Sequence, residues 1–125
     1  MNNSKVTRNL YNHHLSENND YSCIEGLSHT VYEFMNVKSL LSLEDIADLE
    51  KEDREHVTMY FRKNPNKFKI GALKPEECQL NSKKDKLLTV DSKEDYDRFM
   101  TLKDKIDLDS EIDFESLYNI LDTLK

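Results

Sequence analysis

Glycine is scarce in this chain of 125 residues, where only Gly26 and Gly71 occur. Glycine-rich loops let backbone N–H groups approach phosphates closely, and neither GxGxxG nor GxxxxGK[ST] is present. The chain therefore has no phosphate-binding loop of the usual kind. Cysteine is equally scarce. Cys23 and Cys78 lie far apart without a CxxC spacing, which favours two free thiols of an intracellular protein over a disulfide.

Long apolar runs are also missing. No segment approaches the ~20 residues that cross a bilayer, and the polar residues 1–5 provide no apolar core for a signal peptide. The prediction is a cytoplasmic protein with no membrane partner. A net charge of −7 argues against nucleic acid as a partner, since neutralising phosphates needs a basic surface. It leaves a metal-bound nucleotide open, because carboxylates are natural ligands of Mg²⁺.

The apolar residues are clustered and periodic, although the mean hydropathy is only −0.80. Their pattern predicts a marginal helix or arm over residues 1–19 and a single α/β domain over 20–125. We expect strands at 20–24, 30–34, 68–73 and 86–90, the last being the clearest. We expect helices at 4–19, from 36 to about 49, from an Asp53 N-cap to 63, from 92 and from about 113.

The helix after residue 92 has the most distinct start. Ser92 is followed three positions later by Asp95, in a box-like arrangement that caps a helix. The periodicity predicts that this helix turns an apolar stripe inward, made of Tyr96, Phe99, Met100 and Leu102. The final helix is expected to bury Phe114, Leu117, Ile120, Leu121 and Leu124.

Asp91 is the first residue with a chemical interpretation. It follows the apolar run Leu87–Val90, and ligands bind at the carboxyl ends of strands in open α/β sheets. A carboxylate there can hold Mg²⁺ on a nucleoside triphosphate, usually with a second carboxylate. The alternative is an aspartate that stabilises a helix N-terminus through the macrodipole, and the sequence leaves both open.

Arg54, Glu55 and His56 form the second candidate. Arginine offers a planar fork for a carboxylate or phosphate, and histidine can donate a hydrogen bond or carry a proton. The alternative is an ion-paired helix start in which Asp53 caps and Glu55 meets the helix dipole.

Other candidates are weaker. Adjacent helical residues point about 100° apart, so His13 and His14 cannot easily share one metal ion. His29 is solitary, and Cys23 fits a buried strand cysteine better than a nucleophile. The Lys83–Lys86 run fits a solvated loop.

Several segments together carry a resemblance to a known family. They are Asp20-Tyr21-Ser22, Gly26-Leu27 before Val31-Tyr32-Glu33-Phe34, Asp53-Arg54-Glu55-His56-Val57-Thr58 with Tyr60 and Phe61, Asn64-Pro65 with Phe68, and Leu88-Thr89-Val90-Asp91-Ser92 with Glu94-Asp95. In order and spacing they resemble the cytidylyltransferases of the spore-coat polysaccharide (SpsF-like) type, relatives of the acylneuraminate and deoxyoctulosonate cytidylyltransferases. The resemblance covers roughly residues 10–125, and segment 53–58 is its most specific part.

The resemblance implies the C-terminal part of a three-layer α/β/α nucleotidyltransferase fold, with a mixed sheet and flanking helices. Such enzymes move CMP from CTP to a sugar acid and release pyrophosphate with Mg²⁺ as cofactor. Asp91 would be a metal ligand. The substrate side, or a dimer contact, would be formed by Arg54, Glu55, His56 and Thr58, with Gly26 in the loop over the substrate.

The chain also departs from this family. Family enzymes begin with a strand and a basic, glycine-containing nucleotide loop, and they supply an upstream aspartate for the metal. Neither has a counterpart here, and Met59 stands where relatives often have proline. We therefore expect no turnover from this chain alone. The competing predictions are a non-catalytic module that binds a second copy or a partner subunit, and an unrelated acidic α/β protein.

Overall fold

The computed structural model describes residues 4–27, 31–47, 49–78, 80, 86–107 and 114–124. The helices are α1 (Ser4–Ser16), α2 (Val37–Leu41), α3 (Lys51–Glu55), α4 (Val57–Lys63), α5 (Lys93–Lys103) and α6 (Phe114–Asp122). The strands are β1 (Tyr21–Ile24), β2 (Phe34–Met35) and β3 (Ile70–Leu73). The expectations for His29, for Lys83–Asp85 and for a helix start near Asp113 fall outside the described residues.

The three strands form one mixed sheet in the order β2-β1-β3. β1 is antiparallel to β2, with Tyr21 opposite Met35, and parallel to β3, with Ile24 opposite Leu73. All four residues of β1 are buried, since the strand is paired on both edges and covered on both faces. The predicted α/β class with a mixed sheet and flanking helices is confirmed.

Alternation along β1 divides the core between the two faces of the sheet, because successive side chains point in opposite directions. Tyr21 and Cys23 point to one face and Ser22 and Ile24 to the other. The first face is packed by Leu43, Tyr60 and Phe61, together with Phe68 and Ile70. The second is packed by Val6, Leu10, Leu27, Leu102, Phe114, Leu117, Tyr118 and Leu121. Helices therefore lie on both sides of the sheet.

Two predicted strands differ from the structure. The segment expected over 30–34 pairs only at Phe34 and Met35. The segment over 86–90 is wrong as a strand, because Lys86–Leu88 form a 3₁₀ turn. There the Leu87 carbonyl accepts a hydrogen bond of 2.9 Å from Arg98 Nε, so this segment is tied to α5 rather than to the sheet.

The predicted helix over 53–63 is divided in two at His56, whose φ of −122° and ψ of 76° leave the helical region. The N-cap of α3 is Glu50, not Asp53 as expected. Asp53 is instead buried within α3, where its carboxylate accepts a hydrogen bond of 2.9 Å from Lys63 Nζ. This ion pair joins α3 to the end of α4, and the bond to Asp53 raises the pKa of Lys63.

The capping of α5 is confirmed. The Ser92 hydroxyl accepts from the Asp95 N–H, and the Asp95 carboxylate accepts from the Ser92 N–H at 2.9 Å. The predicted inward stripe is wrong for Tyr96, Phe99 and Met100, which are exposed. None of the helices in the described part of the chain is long and apolar enough to cross a membrane.

Candidate functional site

The carboxyl ends of β1 and β3 lie side by side, because the two strands are parallel and in register up to Ile24 and Leu73. β1 continues into a turn at Glu25 and Gly26, and the Glu25 N–H donates to the Leu73 carbonyl at 2.9 Å. Gly26 has a φ of 70°, which L-residues rarely adopt. This turn returns the chain so that Leu27, which is buried, bridges back to Ile24. Gly26 therefore allows the tight turn after β1, at the end of the sheet where α/β folds bind ligands.

The predicted cluster of Arg54, Glu55, His56 and Thr58 spans the junction of α3 and α4. Arg54 and Glu55 end α3, His56 joins the two helices, and Thr58 lies in the first turn of α4. The His56 N–H donates to the Glu52 carbonyl at 2.8 Å, and the Met59 N–H donates to the His56 carbonyl at 2.8 Å. The Arg54, Glu55 and His56 side chains are exposed.

The chain path places the carboxyl end of α4 relative to the sheet. Phe61 stacks on Tyr21, the first residue of β1, with 5.7 Å between ring centroids. Beyond α4 the chain turns, and the Lys69 carbonyl accepts a hydrogen bond from the Asp20 N–H at 2.8 Å. The carboxyl end of α4 thus lies at the amino ends of β1 and β3.

Asp91 is not at a strand tip. It is exposed, and its N–H donates to the Asp95 carboxylate at 3.2 Å. The Asp95 carboxylate is itself occupied by the Ser92 hydroxyl and by Arg98, and these contacts hold the pKa of Asp95 at about 2. Within the described residues, no hydrogen bond or ion pair joins Asp91 or Gly26 to the α3–α4 junction.

These surroundings do not fit a complete magnesium site. In the described ranges, no group of three His, Cys, Asp or Glu side chains is arranged to hold a metal ion. Asp91 offers one carboxylate, and Mg²⁺ held by a single carboxylate depends on substrate phosphates and water for its remaining ligands. Any such site therefore needs ligands that the described residues do not supply.

A buried polar cluster that was not predicted lies between α1 and the sheet. Ser22 Oγ lies 3.0 Å from His14 Nδ1 and accepts from Asn19 Nδ2 at 3.2 Å. Since that oxygen already accepts from Asn19, its O–H is free to donate to Nδ1 of a neutral His14. Burial lowers the pKa of His14, although Asp20 opposes the effect. His14 therefore holds α1 on the sheet, and its spacing of four from Leu10 and eight from Val6 was the signal for a buried face.

A second polar network lies on the opposite face of the sheet. The Tyr21 hydroxyl donates to Glu33 Oε1 at 2.6 Å and accepts from Arg62 Nε at 2.9 Å, while Arg62 also pairs with Glu33. Burial, and then the bond to Glu33, raise the pKa of Tyr21. Neighbouring Cys23 is buried and free, as is Cys78, so the predicted pair of free thiols is confirmed. Burial raises the pKa of Cys23, which suits a core residue better than a nucleophile.

Two curated proteins are similar to this chain. One is the spore coat polysaccharide biosynthesis protein SpsF of Bacillus subtilis (strain 168), which is 31% identical over 94 residues. That match covers 74% of this chain and 38% of SpsF. The chain is a distant relative of SpsF. The uncharacterized protein MJ1063 of Methanocaldococcus jannaschii is 32% identical over 112 residues, or 86% of this chain and 43% of that protein.

The chain thus spans roughly two fifths of the length of the curated relatives it matches, between 38% and 43%. No family model matches the chain. No solved structure matches it either.

Proposed function

We propose that this chain contributes the sugar side of a cytidylyltransferase, which transfers CMP from CTP to a sugar acid in surface polysaccharide biosynthesis. The similarity to SpsF over 74% of the chain carries this proposal, because the name of that relative assigns it to spore coat polysaccharide biosynthesis. A parallel pair of strands with an exposed turn at its carboxyl end supports a ligand site at that edge.

The α3–α4 junction would provide the sugar contacts. Arg54 is exposed, and its guanidinium could bind the carboxylate of a sugar acid through two parallel hydrogen bonds. Glu55 and His56 would bind sugar hydroxyls, and Thr58 would add a hydroxyl at the start of α4. Gly26 would form the adjacent turn. The side chains of Arg54, Glu55 and His56 are exposed, and that of Thr58 is partly buried.

The nucleotide side is the incomplete part. The chain has only two glycines and no phosphate-binding loop, so CTP and Mg²⁺ would need contacts from outside it. Asp91 is the ligand that this chain offers to Mg²⁺ in the proposal. Phosphoryl-group enzymes work mainly by positioning and charge stabilisation around phosphates. We therefore expect no pyrophosphate release by the chain alone.

The sugar contacts can be tested by amide NMR titration of the chain with a panel of nonulosonic acids. The expected result is shifts concentrated at residues 54–58 and at Gly26. Arg54→Ala should weaken binding roughly tenfold or more, because hydrogen bonds to charged groups contribute about 1.5–3 kcal/mol. Arg8→Ala, which removes an exposed arginine of α1, is the matched control and should bind normally. Shifts confined to other regions, or no shifts with any acid, would refute the sugar-side role.

A second candidate function is a non-catalytic module that binds a second copy or a partner subunit. The observation that favours it is the group of large apolar side chains that α5 leaves exposed. Light scattering after size exclusion, combined with the sugar-acid titration, distinguishes the two: binding of a sugar acid in either state of assembly supports the enzyme part, and an assembly that binds none supports the module.

A further inference from the structure

Helix α5 has an apolar face that is partly exposed to solvent. Tyr96, Phe99 and Met100 are spaced i, i+3 and i+4, which places them on one face. Their exposed fractions are 47%, 38% and 36%. Leu102, which follows Phe99 by three positions on the adjoining side of the helix, is 2% exposed and anchors α5 in the core. The helix is therefore fixed through Leu102 while Tyr96 and Met100 face solvent.

Charged residues border this face in an ordered way. Lys103 follows Met100 by three positions and Tyr96 by seven, so it continues the same stripe at the carboxyl end. Lys93 lies at the amino end, with its Nζ 5.0 Å from the centroid of the Tyr96 ring. Asp104 has a φ of −70° and a ψ of −14°, so it continues the helix on the flank that carries Lys93 and Met100.

We propose that α5 is the contact between two copies of this chain, packed antiparallel about a twofold axis that passes beside Phe99 and Met100. This interface is isologous, so each contact occurs twice. It does not depend on any nucleotide or sugar chemistry.

The twofold axis determines which side chains meet. Residues at equal distances on either side of the axis face each other, so Phe99 packs on Met100 of the second copy. Lys103 then lies over Tyr96 of the second copy, where an ammonium is attracted by the ring face. On the flank, Lys93 comes within about two helical rises of Asp104 of the second copy, roughly 3 Å along the axis.

The charges are complementary only in this arrangement. A parallel pair would keep Lys93 and Asp104 of the second copy 11 residues apart, about 16 Å along the axis, so only the antiparallel pair brings the two charges together. Complementarity matters for a chain of net charge −7, since overall repulsion opposes association of two copies. It favours a second copy over a strongly basic partner, because Lys93 and Lys103 stand at the two ends of the apolar face. The 11 residues of α5 span only about 16 Å, so the dimer should be weak and depend on concentration.

The first test is sedimentation velocity of the purified chain over a wide concentration range. We expect the sedimentation coefficient to rise from a monomer value to a dimer value. Phe99→Glu would place two carboxylates next to the axis, so this variant should sediment as a monomer at every concentration. Val37→Glu changes an exposed apolar residue of α2 and is the matched control, so it should dimerise like the original chain. A chain that stays monomeric throughout, or a dimer that Phe99→Glu leaves intact, would overturn the proposal.

A charge exchange tests the antiparallel orientation. Lys93→Glu and Asp104→Lys should each weaken the dimer, whereas the double variant should restore it. Far-UV circular dichroism of each variant checks that α5 stays folded, because Lys93 also pairs with Asp97 within the helix at 2.6 Å. If the double variant is no better a dimer than either single variant, the antiparallel contact is wrong.

Discussion

Replacing Gly71 with alanine would place a methyl group in space that the Asn19 side chain already occupies. Gly71 is buried in β3, opposite Ser22 of β1. A Cβ at this position would lie 2.0 Å from Asn19 Nδ2 and 2.8 Å from both Asn19 Cγ and Ser22 Oγ. The Asn19 side chain must then move, and its hydrogen bond to Ser22 is lost.

The expected cost follows from these two effects. Overpacking a filled site costs about 1–3 kcal/mol, and a buried polar group left without its partner costs about 1–3 kcal/mol. Because one movement causes both, we expect Gly71→Ala to lower the free energy of unfolding by about 2–4 kcal/mol. Urea denaturation followed by far-UV circular dichroism measures this change, provided that the slope against denaturant is unchanged.

A double-mutant cycle tests the cause. Asn19→Ala removes the two Asn19 atoms in conflict and leaves Ser22 Oγ, so Gly71→Ala should cost less in the Asn19→Ala background than in the original chain. Gly26→Ala is the control, because its cost arises from the positive φ and Asn19→Ala should not relieve it. A change within about 0.5 kcal/mol for Gly71→Ala, as is usual at unconstrained surface sites, would refute the reasoning.

Three further predictions concern other polar groups. Burial lowers the pKa of His14 in the folded chain below its usual value of 6.5, whereas the unfolded chain keeps the usual value. The unfolded chain therefore binds more protons as the pH drops below 6.5, and the free energy of unfolding should fall. His14→Gln should reduce this dependence of the free energy of unfolding on pH, measured by urea denaturation. Tyr21→Phe removes a buried hydroxyl that joins Arg62 and Glu33, and should lower the free energy of unfolding by about 1–2 kcal/mol, whereas exposed Tyr32→Phe should not. Ser92→Ala should cost about 1 kcal/mol through the lost N-cap and raise the pKa of Asp95 from about 2 in carboxyl NMR titration.

Local signals in the sequence were sufficient for several elements. The spacing of Val6 and Leu10 predicted α1, the run Tyr21–Ile24 predicted β1, and Ser92 with Asp95 predicted the start of α5. Each of these depends on residues close together in the chain. The α/β class followed from their alternation, and the structure agrees with it.

The wrong predictions depended on tertiary context. The apolar residues at 87, 88 and 90 predicted a strand. In the structure Arg98 donates a hydrogen bond to the Leu87 carbonyl, and Lys86–Leu88 form a turn next to α5. Asp53 read as a helix cap because nothing nearby revealed that Lys63, ten residues later, would pair with it inside the fold. The stripe predicted to face inward on α5 was right only for Leu102, since Tyr96, Phe99 and Met100 are exposed, and periodicity cannot tell which face meets the core.

The candidate site was predictable only in part. Sequence grouped Arg54, Glu55 and His56, and the structure places them together at an exposed helix junction. It could not place them relative to Gly26 or Asp91, because those distances depend on how the helices pack on the sheet. The networks of His14 and Tyr21 join residues on different elements, so single positions gave no sign of them.

Calorimetric titration of the chain with a panel of nonulosonic acids, without CTP or Mg²⁺, tests the central claim most directly. A chain that contributes the sugar side of a cytidylyltransferase should give heat of binding with at least one acid, and Arg54→Ala should weaken that binding roughly tenfold or more. Arg8→Ala, which removes an exposed arginine of α1, should leave the heat of binding unchanged. The absence of heat with every acid at high concentration would contradict the sugar-side role of this chain.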